Sequence, residues 1–415
     1  MKFDVSIIGC GAAGLTASIF AAQNGAKTAV IEKNTVAGRK LLKTGRGRCN
    51  LTHTGTVEDF VRTYGFCGRF LKHSLYEFPP DTVRQFFSER HLATKVEKDG
   101  CVFPITDRAT DVCRILVDSA RRGGVAFFQG RCVESVQKQS DDLFLLSCGK
   151  DRFESPAVII ATGGKSWPFT GSTGDGYRLA ESFGHTIVAP KAALVPVTTV
   201  ESWPGKLQGV GLENVKVSAK IGSKKVSACG PLMFTSDGLG GPVTLDLSRL
   251  ITDYLTQTDG PLPITLDMLA AIDAGDLERK LLDGCAQHPN QEIARVLTEF
   301  LPRAVSLELV EMLCPHQTIL AGRMTKENRK DIISLIKLMP LTIKGLRPLS
   351  EATITRGGVS TKEIDSKTMQ SKLCPGLFFA GEVIDADGPC GGYNLQIAWS
   401  TGALAGSSVQ RTAHS

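Results

Sequence analysis

The stretch TGRGRCNLT, residues 44–52, holds residues whose types could do chemistry. Arg46 and Arg48 flank a glycine, and a thiol, Cys49, follows them directly. A turn of this kind could bind an anion, contact nucleic acid, hold a metal ion or carry a redox-active cysteine. The thiol of Cys49 could act as a redox group or proton donor with a pKa lowered by the arginines, or pack as a small apolar group. The elements around the turn must decide between these chemistries.

A glycine motif near the start of the chain predicts a nucleotide site. Residues 3–33 have the pattern of a strand at Val5–Ile8, a helix, and a second strand at 28–31 that ends at Glu32. The glycines between strand and helix have the spacing GxGxxG and are Gly9, Gly11 and Gly14. They allow a tight turn, a close approach of pyrophosphate to a helix N-terminus, and close packing of helix on strand. An acid at position 32 can bind the ribose hydroxyls, which favours FAD or NAD over NADP.

Two distant segments have the pattern of further parts of one flavin site. In the first, 156–184, a strand at Val158–Ile160 ends on the small residues Ala161-Thr162-Gly163-Gly164. In the second, 376–402, a strand at Leu377–Phe379 precedes Gly391-Gly392-Tyr393-Asn394 at the start of a helix. Small residues let a backbone approach a ligand, and a helix N-terminus can face the pyrimidine end of a flavin or its ribityl chain. Each segment alone could be an ordinary strand-to-turn connection, and their joint presence favours FAD.

These stretches together resemble the BaiN/YhiN-type, aminoacetone-oxidase-like family of FAD-dependent oxidoreductases. The matching stretches run in family order from residue 4 to residue 402, and the most specific are GRCNLT and GGYNLQ. The resemblance implies an α/β fold with a Rossmann-like, two-layer, glutathione-reductase-like FAD-binding domain. A β-barrel-like domain and a small helical domain would interrupt it. The expected boundaries are 1–190 and 345–415 for the FAD-binding domain, 191–263 for the barrel-like domain and 264–344 for the helical domain.

The resemblance also implies which residues contact FAD and which ones react. The implied FAD contacts are Gly9, Gly11, Ala13, Gly14, Glu32, Lys33, Gly38, Arg39, Lys40, Gly45, Arg46, Gly47, Arg48, Asn50, Ala161, Thr162, Gly163, Gly381, Glu382, Asp385, Gly392, Asn394, Leu395 and Gln396. Arg46 and Arg48 could meet the pyrophosphate or an anionic reduced flavin. The candidate catalytic residues, each a possible proton donor, are Cys49, Cys390 and Tyr393.

The pattern changes between about 190 and 345. Alternating apolar residues at 215–221 precede a turn at Gly222-Ser223, which predicts a hairpin of the barrel-like unit. From Ile264 the spacing becomes helical, with apolar stripes at 293–301 and 330–339. The unit carries five lysines, which could bind RNA or simply be solvated: Lys206, Lys216, Lys220, Lys224 and Lys225.

The composition excludes several classes of protein. Of 415 residues, 42% are hydrophobic and 22% charged, which is typical of a globular chain with two or three domains. The twelve cysteines form no C-x-x-C pair, which argues against a structural zinc site, a disulfide scaffold or a disulfide reductase, and favours the cytoplasm. Glycines interrupt the uncharged stretch Val5–Ala26, which predicts a strand and a buried helix instead of a membrane span. We expect no metal, no membrane partner and no stable protein partner.

Three functions remain open from the sequence. Because no second GxGxxG unit follows, NAD(P)H would bind only transiently as the reductant. By the resemblance, the enzyme would reduce an activated C=C with NAD(P)H, and one such reaction is that of a dihydrouridine synthase in rRNA modification, which acts on 23S ribosomal RNA. Ten basic residues against three acidic ones between Lys27 and Lys72 favour RNA over a small-molecule substrate. The alternatives are an aminoacetone-type amine oxidase that uses oxygen, and a flavin-bearing RNA-binding factor without activity.

Overall fold

The computed structural model describes residues 1–140, 142–258 and 260–413, and side chains up to residue 409. Its strands are β1 (Val5–Ile8), β2 (Thr28–Glu32), β3 (Thr52–His53), β4 (Thr94–Val96), β5 (Cys101–Pro104), β6 (Ala126–Gln129), β7 (Ser135–Lys138), β8 (Phe144–Cys148), β9 (Asp151–Ser155), β10 (Ala157–Ile160), β11 (Ile187–Ala193), β12 (Val197–Thr199), β13 (Gly211–Ile221), β14 (Lys224–Thr235), β15 (Gly238–Gly240), β16 (Leu262–Asp267), β17 (Met339–Leu346), β18 (Ile354–Val359) and β19 (Leu377–Phe379). Its helices are α1 (Ala12–Gln23), α2 (Val57–Tyr64), α3 (Gly68–Glu77), α4 (Pro80–Ser88), α5 (Ala109–Arg122), α6 (Asp175–Glu181), α7 (Trp203–Lys206), α8 (Pro242–Thr258), α9 (Ala274–Gln287), α10 (Ile293–Leu297), α11 (Arg303–Leu313), α12 (Lys326–Leu338) and α13 (Tyr393–Ala413).

A five-stranded parallel sheet with the order β19-β10-β1-β2-β6 organises the first unit of the chain. Ile8 at the end of β1 lies opposite Ile31 of β2 and Ile160 of β10. Strands β1, β2, β10 and β19 are almost completely buried, as expected of a parallel sheet covered on its faces, and the edge strand β6 is half-buried. Because the strands are parallel, the loops after β1, β2, β10 and β19 leave the sheet at one edge. This arrangement confirms the Rossmann-like fold class and brings the predicted cofactor segments together.

Small residues pack α1 against α13 behind this sheet. A Cβ atom added at Gly402 would lie 2.6 Å from the Ala13 carbonyl oxygen, and one at Gly406 would lie 2.3 Å from that of Ala17. The buried residues of α1 include Leu15 and Ile19, so the uncharged stretch is a strand and a buried helix, as predicted. Among the described helices, none has the length and apolar character needed to cross a membrane.

A closed barrel forms the second unit, with the strand order β12-β15-β14-β13-β16-β17. The predicted hairpin is β13 and β14, which pair in antiparallel register with Val217 opposite Ala228. Along β13, Val215, Val217 and Ala219 face the barrel interior and are buried, and the residues between them face outward. The interior is a hydrophobic core that is separate from the core around the parallel sheet.

The chain divides into two compact units, 1–191 with 349–415, and 192–348. The division into four domains stays a prediction, but barrel strands run past two of its expected boundaries. Strand β16 continues beyond residue 263, and β17 takes residues 339–344 into the barrel. The helical stripe at 293–301 forms helix only to Leu297, and α12 starts earlier than predicted because Thr325 caps its first turn with Asn328.

Candidate cofactor site and active site

The three glycines after β1 have three different surroundings. Gly9 has φ of +103°, and a Cβ atom there would lie 2.5 Å from the Ala161 carbonyl oxygen. A Cβ atom at Gly14 would lie 2.0 Å from the carbonyl oxygen of Gly9, so this glycine lets α1 pack on the turn. At Gly11 the space is open, with nothing within 4 Å. The open space at Gly11 is what the approach of a pyrophosphate requires.

The N-terminus of α1 is suited to an anion. Its N-cap residue is Gly11, no side-chain hydrogen bond caps it, and its first turn contains no acidic residue. The first N–H groups of a helix have no intrahelical partner, and the helix dipole places partial positive charge there. This helix end therefore offers backbone donors beside the open space at Gly11.

Glu32 lies at the end of β2 with its carboxylate fixed. One carboxylate oxygen accepts a hydrogen bond from the Cys10 N–H at 2.8 Å, and the other accepts from the backbone and side chain of Asn34 at 2.8 and 2.7 Å. A carboxylate has about four acceptor positions, so the group keeps capacity for a ribose hydroxyl. The neighbouring Lys33 pairs with Asp175 at 2.6 Å, on a different segment. Of Glu32 and Lys33, only Glu32 is thus oriented as the ribose ligand that the spacing predicts.

Lys40 and Glu382, both predicted to contact FAD, bind each other. The Lys40 ammonium lies 2.5 Å from a Glu382 carboxylate oxygen and donates to the Ser166 hydroxyl at 2.6 Å. The other Glu382 oxygen accepts hydrogen bonds from the Thr355 N–H at 2.8 Å and from Ser166 at 3.0 Å. This network joins the loops after β2, β10 and β19 to β18, and so holds the edge of the sheet where the cofactor segments meet.

The loop at 44–49 has an unusual backbone. Gly45, Arg46, Gly47 and Cys49 all have positive φ, at 55°, 57°, 86° and 64°. Two of them are not glycine, and such residues cost energy in this conformation unless the surroundings enforce it. The Cys49 N–H donates to the Thr44 carbonyl oxygen at 3.0 Å, and no atom lies within 4 Å of a Cβ added at Gly47. The loop is therefore tightly bent and open on one side, as a ligand-binding loop would be.

The two arginines of this loop differ in their surroundings. The Arg48 guanidinium donates to Asp107 at 2.8 Å and to Glu97, and it lies 3.9 Å from the centre of the Phe103 ring. These contacts raise the pKa of Arg48, first through Glu97 and then through Asp107. The Arg48 side chain is thus bound by two carboxylates, and its contact with an anion stays a prediction. Arg46 is exposed and forms no ion pair with any described residue, so it stays a candidate.

Cys49 does not have the environment that was predicted for it. Its side chain is completely buried, and burial raises the pKa of the thiol to about 12. The expectation that the arginines lower this pKa is wrong because the Arg48 guanidinium is directed to Glu97 and Asp107. A thiol without exposure cannot deliver a proton to a substrate. Cys49 is a packing residue, the alternative left open above.

Residues 50–53 are bound to the start of α13 one after another. The Asn50 amide oxygen lies within 3.2 Å of the Gly392 N–H when the amide is oriented to satisfy its neighbours. The Leu51 carbonyl oxygen accepts from the Trp399 indole at 2.8 Å, and the Thr52 hydroxyl donates to the Gln396 amide at 2.6 Å. GRCNLT and GGYNLQ, the two most specific stretches, are therefore one structural unit.

Gln396, predicted to contact the cofactor, has its side-chain amide bound within the protein. It is completely buried, and its amide nitrogen donates to the Phe78 carbonyl oxygen at 2.9 Å and to Ser400 at 2.8 Å. With the Thr52 hydroxyl on its amide oxygen, both ends of this amide are bound within the protein. The side chain orients the loop at 50–53, and a contact of Gln396 with the cofactor stays a prediction.

Tyr393, the first residue of α13, lies in an aromatic cluster. Its ring stacks on the His53 ring, with centroids 5.0 Å apart, and contacts the Phe60 ring at 4.8 Å. The Tyr64 hydroxyl donates to the Tyr393 carbonyl oxygen at 2.9 Å. These contacts fix both the ring plane and the backbone of Tyr393, as a reacting side chain requires. Tyr393 stays the candidate proton donor with the best-defined position.

His53 and Cys101 belong to this cluster and were missed in the sequence. The His53 ring nitrogens lie 2.7 and 2.8 Å from the carbonyl oxygens of Thr54 and Asp99. The Cys101 thiol lies 3.2 Å from a carboxylate oxygen of Asp99, and burial raises its pKa to about 12. A histidine directly after GRCNLT was the available signal for the first; nothing in the sequence indicated that β5 would bring Cys101 here.

The remaining candidates on the 381–396 segment keep their status as predictions. Asn394 binds the turn before it, accepting from the Gly388 N–H at 2.9 Å and donating to the Gly388 carbonyl oxygen at 2.8 Å. This turn holds Cys390, which is half-buried. Asp385 and Leu395 are likewise partly buried. No group of three or more metal-ligating side chains occurs in the described part of the chain.

The model of the family described as "HI0933-like protein Rossmann domain" matches residues 3–408. The chain belongs to this family. It is an FAD-dependent oxidoreductase, which confirms the resemblance and the enzyme class predicted from the sequence. A "3-dehydro-bile acid delta(4,6)-reductase" of Clostridium scindens is 33% identical, over 97% of this chain and 98% of that protein. A "Ribosomal RNA dihydrouridine synthase" of Escherichia coli is 31% identical, over 96% of both chains.

Solved structures show the same fold at low sequence identity. A 3-ketosteroid Δ1-dehydrogenase from Sterolibacterium denitrificans aligns over 99% of both chains with a TM-score of 0.54 and 13% identity. The open conformation of a flavocytochrome c3 fumarate reductase aligns over 100% of this chain and 79% of that chain, with a TM-score of 0.52 and 17% identity. At these identities the similarity shows the fold of the chain alone.

The residues at the sheet edge fit FAD, the cofactor of the family. The uncapped end of α1 beside Gly11 would hold the pyrophosphate, and Glu32 would hold the adenosine ribose. The bent loop at 44–49 and the start of α13 would hold the flavin end, since they are bound together by residues 50–53. When bound, FAD supplies the hydride-transferring ring, and the chain supplies binding, orientation and protons.

Proposed function

We propose that this protein reduces a C=C bond conjugated to a carbonyl group, with NAD(P)H as the source of electrons. The observation that carries this proposal is the agreement between two relatives with unlike substrates. One is named for the reduction of Δ4,6 bonds in a 3-dehydro bile acid, and the other for making dihydrouridine in ribosomal RNA. A steroid and a pyrimidine share little beyond a carbonyl-conjugated C=C, so this bond is the chemistry that we transfer to the chain.

Of the two acceptors, we propose uridine in large-subunit ribosomal RNA. A second protein named ribosomal RNA dihydrouridine synthase, from Haemophilus influenzae, is 29% identical over 98% of both chains. The net charge of +6 also favours a polyanionic substrate over an uncharged or anionic small molecule.

The reduction adds a hydride to one carbon of the double bond and a proton to the other, so the site must supply an acid. Tyr393 meets the requirement of a fixed position, because His53, Phe60 and Tyr64 each contact it. A phenol can also donate a hydrogen bond to the carbonyl oxygen of the acceptor, where negative charge develops. Cys390, in the turn just before Tyr393, is the second candidate for this acid.

The first test is an anaerobic visible spectrum of the purified yellow protein with NADH or NADPH. We expect either nucleotide to bleach the oxidised flavin band, and unmodified large-subunit ribosomal RNA or a steroid enone to restore it. A colour that persists with both nucleotides, although dithionite removes it, would contradict a nicotinamide-driven reductase.

The Tyr393→Phe variant tests the proposed acid. It keeps the stacked ring, so bleaching by NAD(P)H should be unchanged while the return of colour with the acceptor slows by roughly 10²- to 10⁴-fold. Tyr76→Phe removes an exposed hydroxyl that donates to the Glu58 carboxylate and serves as the matched control. Equal rates of acceptor reduction in wild type and Tyr393→Phe would exclude Tyr393 as the donor.

A further inference from the structure

The outer face of the barrel hairpin carries a cluster of like charges. Lys216 and Lys220 of β13 and Lys225 of β14 lie on this face, Lys224 pairs with Ile221 on the other face beside the turn, and all four are exposed. In the register of the hairpin, Lys220 is directly opposite Lys225. Like charges in directly opposite positions of an antiparallel pair destabilise it. The hairpin therefore maintains an arrangement that its own folding does not favour.

The described surroundings do not neutralise these lysines. None of the four forms an ion pair with a described residue, although Lys206 of the same unit pairs with Glu308 at 2.7 Å. The acid that faces Lys216 across the β13–β16 pair is Asp267, and it binds Lys337 at 2.7 Å instead. The charge of this lysine face, defined as Lys216, Lys220 and Lys225, thus has no ion-pair partner among the described residues.

The side chains of the lysine face distinguish a membrane surface from a phosphate backbone as its partner. Ser218 and Ser227 are directly opposite each other between the lysine positions, and the face has no aromatic side chain. A membrane-surface segment combines basic residues with apolar anchors such as Trp, Phe or Leu. Lysines and hydroxyls without such anchors match a phosphate backbone, which lysines contact as flexible point charges.

We propose that the lysine face binds the phosphate backbone of RNA. This assignment rests on the proposed ribosomal RNA substrate and adds the surface that holds it. Lys216 and Lys220 are four residues apart on one strand, about 13 Å at the usual strand rise, so the face can follow an extended stretch of backbone. Such contacts give affinity and salt dependence but no base selection, which would be left to the reducing site.

The first test measures RNA affinity of the holoenzyme by fluorescence anisotropy over a range of salt concentrations, with a labelled fragment of large-subunit ribosomal RNA. Lys220→Gln with Lys225→Gln removes the two like charges that face each other, so the protein should unfold at the same or a higher temperature than wild type. Its RNA affinity should fall about tenfold or more, and the slope of log affinity against log salt should decrease by at least about one.

The matched control makes the same charge change elsewhere in the same unit. Lys326 and Lys330 of α12 are exposed, and Lys326→Gln with Lys330→Gln should leave the affinity and the salt slope near those of wild type. Equal loss in both double variants would overturn the proposal, since net charge alone would then explain binding. Unchanged affinity in the hairpin variant would overturn it as well.

Two exposed cysteines allow a second test without substitution. Cys229 lies on the lysine face opposite Lys216, whereas Cys132 lies in the other unit. RNA should slow alkylation of Cys229 and leave that of Cys132 unchanged, and vesicles of phosphatidylserine should protect neither. Protection by the vesicles and not by RNA would assign the face to a lipid surface and overturn the proposal.

The two proposals fail in different ways. The hairpin variant should keep the wild-type rates of flavin bleaching by NAD(P)H and of enone reduction, because it lies outside the reducing site. If Cys229 is protected by RNA but no C=C acceptor is reduced, the proposed reaction is wrong and the lysine face stands. If the acceptor is reduced but neither affinity nor protection depends on the hairpin, the lysine face is wrong.

Discussion

Two basic regions of this protein differ in what their charges do. Between Lys27 and Lys72, where the sequence is richest in basic residues, Lys33, Lys40, Arg48 and Arg62 pair with carboxylates. In the barrel hairpin, four lysines lie together without an ion pair to any described residue. A count of charges along the sequence favours the first region as an RNA contact, and the structure favours the second. Partners distant in sequence determine which cations remain available.

The two regions also suit phosphate in different ways. The cofactor unit offers uncapped backbone N–H groups at α1 beside Gly11, whose position is fixed by the fold. The hairpin offers mobile ammonium groups, whose attraction to phosphate is screened by salt. Cofactor binding should therefore depend on shape and little on salt, and RNA binding should depend strongly on salt.

The largest effect in this comparison is the loss of FAD affinity that we expect from Gly11→Ala. The new methyl group meets no protein atom within 4 Å and needs no positive φ, so the stability of the apoprotein should change by less than about 0.5 kcal/mol. It fills the space assigned to the pyrophosphate, so FAD affinity should fall about tenfold to a hundredfold. Gly211→Ala in β13, where a Cβ meets only ordinary contacts, is the control. Unchanged FAD affinity in Gly11→Ala, measured by flavin fluorescence, would place the pyrophosphate elsewhere.

A smaller effect is expected from removing one cation in each region. Lys40→Met leaves the half-buried Glu382 without its cation and should lower the free energy of unfolding by about 2 kcal/mol. Lys220→Met removes a like charge opposite Lys225 and should leave stability unchanged or slightly higher. Urea unfolding of both variants makes the comparison. Equal losses would show that the two lysines have similar surroundings.

Substitutions of the two arginines in the loop at 44–49 should differ in their effect on stability, but by less than the lysine substitutions do. Arg48→Gln loses Glu97, Asp107 and the Phe103 ring, which we expect to cost about 1 kcal/mol because these side chains are partly solvated. Arg46→Gln loses no ion pair and should change stability by less than about 0.5 kcal/mol. Thermal unfolding at low and high salt distinguishes them, since only the Arg48 effect should shrink with salt. A larger loss in Arg46→Gln would mean that Arg46 has a structural partner.

The smallest expected effect is the pH dependence of stability due to His185, a buried histidine of the cofactor unit. Burial lowers the pKa of His185 below its ordinary value, and Glu363 at 3.3 Å only partly opposes this. The unfolded chain therefore binds this proton first, so stability is highest above a pH of about 6.5 and falls as the pH drops through that value. Urea midpoints between pH 8 and pH 5 should fall more in wild type than in His185→Gln. A urea midpoint that rises on acidification would contradict the expected loss of stability at low pH.

The parts of the fold that the sequence predicts are those set by local patterns. The strands at Val5–Ile8 and Leu377–Phe379 have the predicted bounds, because short apolar runs next to glycines leave few alternatives. The hairpin turn at Gly222-Ser223 follows from strict alternation. The closure of the barrel by β17 was missed, because a strand that follows a helix has no local signal for its pairing partner.

The sequence-based predictions of side-chain environment at the site missed hydrogen-bond and ion-pair partners that are far away in the sequence. Arg48 was expected to lower the pKa of Cys49, but Glu97 and Asp107 draw the guanidinium to themselves. The prediction for Gln396 did not include Thr52 and Phe78, which bind its amide in the core. In both cases the direction of the side chain depended on the tertiary structure.

The most direct test of the proposed reaction is a single turnover followed by mass spectrometry. The holoenzyme is reduced anaerobically with one equivalent of dithionite, mixed with unmodified large-subunit ribosomal RNA, and the RNA is digested to nucleosides. We predict a uridine that has gained the mass of two hydrogen atoms as the oxidised flavin spectrum returns. A flavin that stays reduced with the RNA and with a steroid enone, and is reoxidised only by oxygen, would contradict the reduction of a conjugated C=C.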